Sequence, residues 1–390
     1  MAMDRSRPMI WVLAVAASAC RFGSPPLGGD AAGPPDAPAD ALDAPIDGPR
    51  MDWWNTAWTR RRPITIDTSK LTGPVTNFPL LVQIPQQLVD LNGNRSNALR
   101  FVTADNTAAL PYELDTLDPG TTSFVWVRLP GTTSAAAPST LWLYYDNTAA
   151  LSESAGAGVF ADLYVSVHHL GASGPGGVLP DSTGNNHAAS PSGGGGGPQL
   201  VNIGRIGRAR DLDGNDDYYQ LAGETDYDFT TTLTVSAWIQ RQQFDEVYQA
   251  IVCKGDDTWR MHRENTTPFA GFGTTSGGSG NNDNLQGTTN IDNTNWHHIA
   301  IVFGGGVKRL YVNGQQDVMA NEGPIDTDDT PVQIGHNSNA QTSPDRFWNG
   351  NIDEVRISTA ERDAAWIFAE HLTVNDPTFV SIGSEERYAP

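Results

Sequence analysis

From Asp52 onward, apolar residues arrive in short runs rich in β-branched and aromatic side chains. Clusters rich in Gly, Pro and Asn separate many of these runs, and before Ala360 no helix-length amphipathic segment interrupts them. Arg62-Pro63-Ile64-Thr65-Ile66 and Pro79-Leu80-Leu81-Val82-Gln83-Ile84 alternate, the signature of a strand with one face buried. Phe124–Leu129 and Leu141–Tyr145 do not alternate, which suits strands buried on both faces. Gly73-Pro74, Asn92-Gly93-Asn94 and Pro119-Gly120 supply turns between them. After the glycine-rich passages Leu170–Asn186 and Ser190–Pro198, which read as a linker or as long loops, the same grammar resumes. Leu233–Ile239, Ala250–Gly255, Trp296–Phe303, Lys308–Gly314 and Gly350–Ile357 are the clearest strands. One helix is predicted, over Ala360–His371 with Thr359 as its N-cap. The pattern predicts an all-β chain of two antiparallel β-sandwich domains, over residues 51–171 and 172–390.

The first fifty residues do not follow this grammar. Residues 1–19 read as a signal peptide: Arg5 and Arg7 precede an apolar stretch, Met9–Ala19, that is too short to span a membrane. It ends in Ala17-Ser18-Ala19-Cys20, which resembles the bacterial lipobox. That resemblance implies that Cys20 becomes a lipidated N-terminus; the other reading is an ordinary signal peptide with Cys20 incidental. Arg21 after the cysteine, where retention by enteric sorting would need Asp, favours the outer membrane or cell surface of a Gram-negative bacterium. Residues 20–50 are dominated by Asp, Pro, Ala and Gly and hold too little apolar surface to offset chain entropy, so they are expected to form an extended, disordered tether.

Charge narrows the partners. Forty-five acidic against 24 basic residues give a net charge of −21, which disfavours nucleic acid and anionic membrane surfaces. Membrane attachment would therefore come through the N-terminal lipid alone. Two cysteines cannot build a disulfide framework or a cysteine-based zinc site.

Ordered phrases in both halves resemble known families. Trp53-Trp54-Asn55, Asn77-Phe78-Pro79-Leu80-Leu81-Val82, Leu110-Pro111-Tyr112-Glu113, Val125-Trp126-Val127 and Tyr144-Tyr145 resemble the bacterial domain of unknown function 2341. This implies an extracytoplasmic β-domain and no catalytic residue. Trp296-His297-His298-Ile299-Ala300, Leu310-Tyr311-Val312-Asn313-Gly314 and Gly350-Asn351-Ile352-Asp353-Glu354-Val355-Arg356-Ile357 resemble the laminin-G-like, concanavalin-A-like jelly roll. The fold it implies, a two-sheet antiparallel sandwich, agrees with the strand reading.

Several groups could carry chemistry. His297 and His298 are neighbours on a strand, point to opposite faces and read as packing residues. Asp353 and Glu354 should diverge for the same reason, and glycoside cleavage needs two convergent carboxyls. The resemblance implies a calcium ion held by Asp181 and Asp353; the alternative gives Asp181 an Asx-turn and Asp353 a buried hydrogen bond. Asp211-Leu212-Asp213-Gly214-Asn215-Asp216-Asp217 looks calcium-like but lacks the full EF-hand loop, and reads as a solvated turn. Among aromatics in or beside loops, Trp259 and Trp348 are the candidates for stacking on a ligand.

The sequence therefore predicts a non-catalytic, lipid-anchored, extracytoplasmic protein whose lectin-like jelly roll binds a glycan or another surface ligand. A component of an envelope assembly with a surface-protein partner is the alternative, and a polysaccharide hydrolase a third reading.

Overall fold

The computed structural model describes residues 53–135, 139–174, 177–278, 282–338 and 346–389. The expected signal peptide, Cys20 and the tether lie outside these residues. Among the described residues no helix is long and apolar enough to cross a membrane. The chain from Arg50 to Pro390 forms one compact unit built of antiparallel sheets.

The first sandwich faces a six-stranded sheet against a three-stranded one. In the larger sheet Arg60–Ile66 pairs with Ser139–Tyr145, which pairs with Arg100–Thr103. In the smaller, Thr122–Arg128 lies between Pro79–Pro85 and Tyr112–Thr116. Ile64, Phe101, Leu143, Val82 and Trp126 are wholly buried in its core.

The second sandwich is a jelly roll of an eight-stranded and a seven-stranded sheet. The central strands of the first are Asn349–Ser358, Leu233–Arg241 and His297–Gly304. In the second, Ala250–Cys253, Trp259–Arg263, Phe269–Thr275 and Asn282–Asn290 run side by side. Val235, Ile299 and Ile301 meet Val252, Met261 and Phe272 between the sheets.

The border between the sandwiches differs from the one drawn on the sequence. Tyr164–His168, assigned to the first domain, pairs with Asn349–Ser358 inside the jelly roll. The C-terminal strands Val380–Ile382 and Glu386–Arg387, assigned to the jelly roll, complete the first sandwich along Arg60–Ile66, with Ile64 opposite Ile382. Both segments thus join a sheet whose partner strand lies far away in sequence, a pairing that local pattern does not encode.

The helix also starts later than expected, at Ala364, and runs to Asn375. Asp363 caps it, accepting from Trp366 N at 2.8 Å, whereas the Thr359 hydroxyl donates to Leu163 O instead. The helix binds the sandwiches together: Leu81 N donates to the Thr373 hydroxyl at 2.9 Å, and Trp366 meets Phe78 edge to face at 5.2 Å between ring centres.

One irregularity in the jelly roll moves two carboxylates. Trp238 faces Asp353 and Ser236 faces Arg356, so Glu354 and Val355 together oppose Ala237 in a β-bulge. Glu354 takes φ +51 there, a left-handed conformation uncommon for a non-glycine residue. Asp353 and Glu354 are both buried as a result, rather than divided between an inner and a solvent face.

Candidate functional site

The outer face of the seven-stranded sheet carries a polar cleft of about 210 Å³. Along Trp259–Arg263 the alternation is strict at first: Trp259 and Met261 point into the core, while Arg260 and His262 line the cleft. The neighbouring strand makes room for them. A Cβ on Gly273 would sit 2.5 Å from Arg260 Nη2, and one on Gly271 would sit 2.6 Å from Glu264 Oε2. Glycine at these two positions lets the long side chains lie flat across the sheet.

Asp256 organises the floor. Its carboxylate accepts from Arg346 at 2.5 Å and from Asn337 at 2.8 Å, and its backbone carbonyl accepts from Arg260. Arg260 also donates to Asn284 at 3.0 Å. Tyr248 forms a wall, with its ring 5.6 Å from that of His262 and the Arg346 guanidinium 5.2 Å from its centre. Both Tyr248 (φ +53) and Arg346 (φ +58) hold left-handed backbone conformations. Strain of this kind on large side chains collects at binding sites, where the surrounding structure over-determines it.

The cleft holds buried polar atoms without internal partners: His262 Nε2, Asn337 Oδ1, Arg346 Nε and, beside them, Glu264 Oε2. His262 donates through Nδ1 to Arg263 O at 2.8 Å, so Nε2 presents a lone pair. Burial, reinforced by Arg260, depresses this histidine to about 3 and keeps it neutral. Burial also pushes Glu264 up to about 7, against the pull of Arg260 and Lys308. Cys253 faces the same cleft; burial raises its thiol to about 12, so it is unreactive. The arrangement offers acceptors, one donor and an aromatic wall, and its one other carboxylate, Asp256, is tied down by donors.

The residues singled out from sequence fall elsewhere. Trp259 and Trp348 are fully buried in the jelly-roll core, and Trp259 donates to Tyr227 O at 3.1 Å. Neither ring is open to a ligand, because strand alternation turns Trp259 inward. Asp181 accepts four donors: Val167 N, Thr183 N, Thr183 Oγ1 and His187 N. Asp353 accepts from Ile206 N at 2.9 Å and from Glu354 N at 3.0 Å. These are the hydrogen bonds that the Asx-turn and buried-bond alternative calls for. Asp353 is held well above the ordinary carboxylate range by burial and by Glu354 beside it. His297 and His298 are buried, in keeping with packing roles.

Glu354 instead joins an ionic seam between the sandwiches. His169 lies 2.7 Å from Glu354 through Nδ1 and 3.2 Å from Glu113 through Nε2, with Asp115 at 3.6 Å. Burial opposes the charge on His169, but Glu354, Asp115 and Glu113 outweigh it and raise its pKa well above the usual value. Both ring nitrogens are engaged, and Arg356 donates to Glu354 at 2.9 Å. The seam reads as a lock between sandwiches.

Sequence reasoning passed over Arg260, His262, Asn337 and Arg346. A usable signal was present: Trp259-Arg260-Met261-His262 alternates apolar with charged, and Ala270-Gly271-Phe272-Gly273 alternates apolar with glycine. Two such strands side by side mark a face where long polar side chains need space.

Residues 213–368 match the family model described as the concanavalin A-like lectin/glucanases superfamily, and residues 95–164 match the domain of unknown function 2341. No curated protein matches the chain. Among solved structures, the binding domain of Paraclostridial mosquitocidal protein 1 is 16% identical with a TM-score of 0.43, covering 53% of this chain and 51% of that one. Domain 4 of AbnA, an extracellular arabinanase of Geobacillus stearothermophilus solved with arabinotriose, is 20% identical with a TM-score of 0.39, covering 53% of this chain and 96% of that one. A botulinum neurotoxin serotype D/C binding domain is 15% identical with a TM-score of 0.41, covering 55% of this chain and 53% of that one. The chain spans about half the length of the two toxin domains. In the order its own residues suggested, a match to the domain of unknown function 2341 is followed along the chain by a match to the concanavalin A-like lectin/glucanases superfamily.

Proposed function

We propose that the jelly roll is a non-catalytic carbohydrate-binding module whose polar cleft takes one sugar unit of a larger glycan. The observation that carries this reading is the set of buried polar atoms left without partners around Tyr248. Buried polar groups are normally paired, and a polyhydroxylated ring supplies both donors and acceptors to such a set. Tyr248 is half-buried and offers a face to the ring's C–H groups. At about 210 Å³ the space is below the ~300 Å³ of a drug-sized pocket, which fits one ring rather than a long ligand. Hydrolysis is disfavoured, because Asp256 is committed to Arg346 and Asn337 and leaves Glu264 without a second free carboxyl. Screening the full chain on a glycan array, then titrating the best ligand, tests the proposal. Asn337→Ala and Tyr248→Ala should each weaken binding by about tenfold, the loss expected of one hydrogen bond or stacking contact. Absence of binding across the array, or binding indifferent to both changes, would sink it.

The same proposal places the protein outside the cytoplasm, anchored by lipid on Cys20 and lifted from the membrane by the 20–50 tether. More than one acyl chain would make that anchor stable. Labelled palmitate should enter the wild type and not Cys20→Ala, which should appear in the soluble fraction; equal labelling of both would exclude the anchor.

A further inference from the structure

The turn from Asp213 to Asp217 brings three carboxylates together: Asp213, Asp216 and Asp217 each present an oxygen within 4.8 Å of the others. Asp217 is 4% exposed, and its Oδ1 is buried without a hydrogen-bond partner. None of the three pairs with a lysine, arginine or histidine in any ion pair among the described residues. Asp213 Oδ1 accepts from Asn215 N at 2.9 Å and Asp216 N at 3.3 Å, which shapes the turn but adds no positive charge. A glycine-rich loop closes over the group. A Cβ on Gly193 would collide with Asp217 Oδ1, and one on Gly194 would sit 2.8 Å from Asp216 Oδ2. Gly193 has φ +135, a conformation that glycine adopts without penalty.

We propose that this turn and the Gly193–Gly194 backbone form a site for a hard divalent cation of the calcium class, separate from the Asp181 and Asp353 positions. Calcium takes six to eight oxygens, and three carboxylates with turn carbonyls and water can supply them. Asp216 O already lies beside Gly193. Without a cation the three carboxylates face one another with no positive charge beside them among the described residues. The competing account is a proton shared within the cluster, and the two predict different responses to calcium.

Thermal unfolding of the full chain in EDTA, followed by calcium chloride added back, separates them. The wild-type midpoint should rise by about 5 °C at a hundredfold excess over the dissociation constant. Asp217→Asn should unfold in EDTA at or above the wild-type midpoint, because repulsion is relieved, and should not respond to calcium. Asp181→Asn should keep the wild-type response. Calorimetric titration at 25 °C should show one calcium per wild-type chain and none for Asp213→Asn, which serves if Asp217→Asn does not fold. A wild-type midpoint unmoved by about 10 mM calcium would overturn the proposal. So would a response that survives in Asp217→Asn or disappears in Asp181→Asn alone.

Discussion

Glu370 projects from the C-terminal helix into the junction between the sandwiches, where its carboxylate is buried against Ser236, His298 and Arg356. Burial alone would raise its pKa; contact with the His298 ring at 3.5 Å and the Arg356 guanidinium at 3.8 Å outweighs it and holds the group at about 2. A carboxylate whose folded pKa lies below its unfolded value, 4.5, stabilises the fold above that value. The contribution is lost as pH falls from there through about 2. Glu370→Gln should therefore cost about 3 kcal/mol at neutral pH and flatten the acid-unfolding profile over that window. Urea midpoints between neutral pH and acid check this; parallel profiles would rule it out. The aromatic candidates Trp259 and Trp348 failed at this same scale. Composition marks tryptophan as a ligand-stacking residue, but only side-chain direction tells core from surface, and both rings point inward.

At the scale of elements, most strands were legible because a buried face writes its period into the sequence. Leu233–Arg241 and His297–Gly304 fall where their β-branched runs place them. The bulge at Glu354 was not legible. Strand alternation predicts that Asp353 and Glu354 diverge, and a single extra residue opposite Ala237 cancels that rule. The helix start shows a smaller failure. Thr359 and Asp363 are both acceptable N-caps by type, and Thr359 is diverted to Leu163 by the strand beside it. The cleft was written in two neighbouring strands, but its meaning depended on their pairing, with Arg260 opposite Gly273 and His262 opposite Gly271.

For the whole molecule, the C-terminus is part of the first sandwich. Val380–Ile382 and Glu386–Arg387 cover the edge of Arg60–Ile66, and Glu386 pairs with the buried Arg61 guanidinium at 2.8 Å. Truncation after Phe379 should destabilise the chain by about 3 kcal/mol, since it removes one carboxylate partner from a buried arginine and bares a sheet edge. The intact protein should melt in one calorimetric transition, with the two sandwiches tied by the helix and the His169 seam. A truncated chain that melts at the wild-type midpoint would contradict this. The sequence alone determined the β class, the two-sandwich organisation and the jelly-roll resemblance, because periodicity, turn residues and short phrases are local. Tertiary structure alone decided where each sandwich ends, which carboxylates meet, and that the polar cleft rather than the tryptophans faces solvent. Those outcomes depend on pairing between strands far apart in the chain, whose register and direction no local pattern carries.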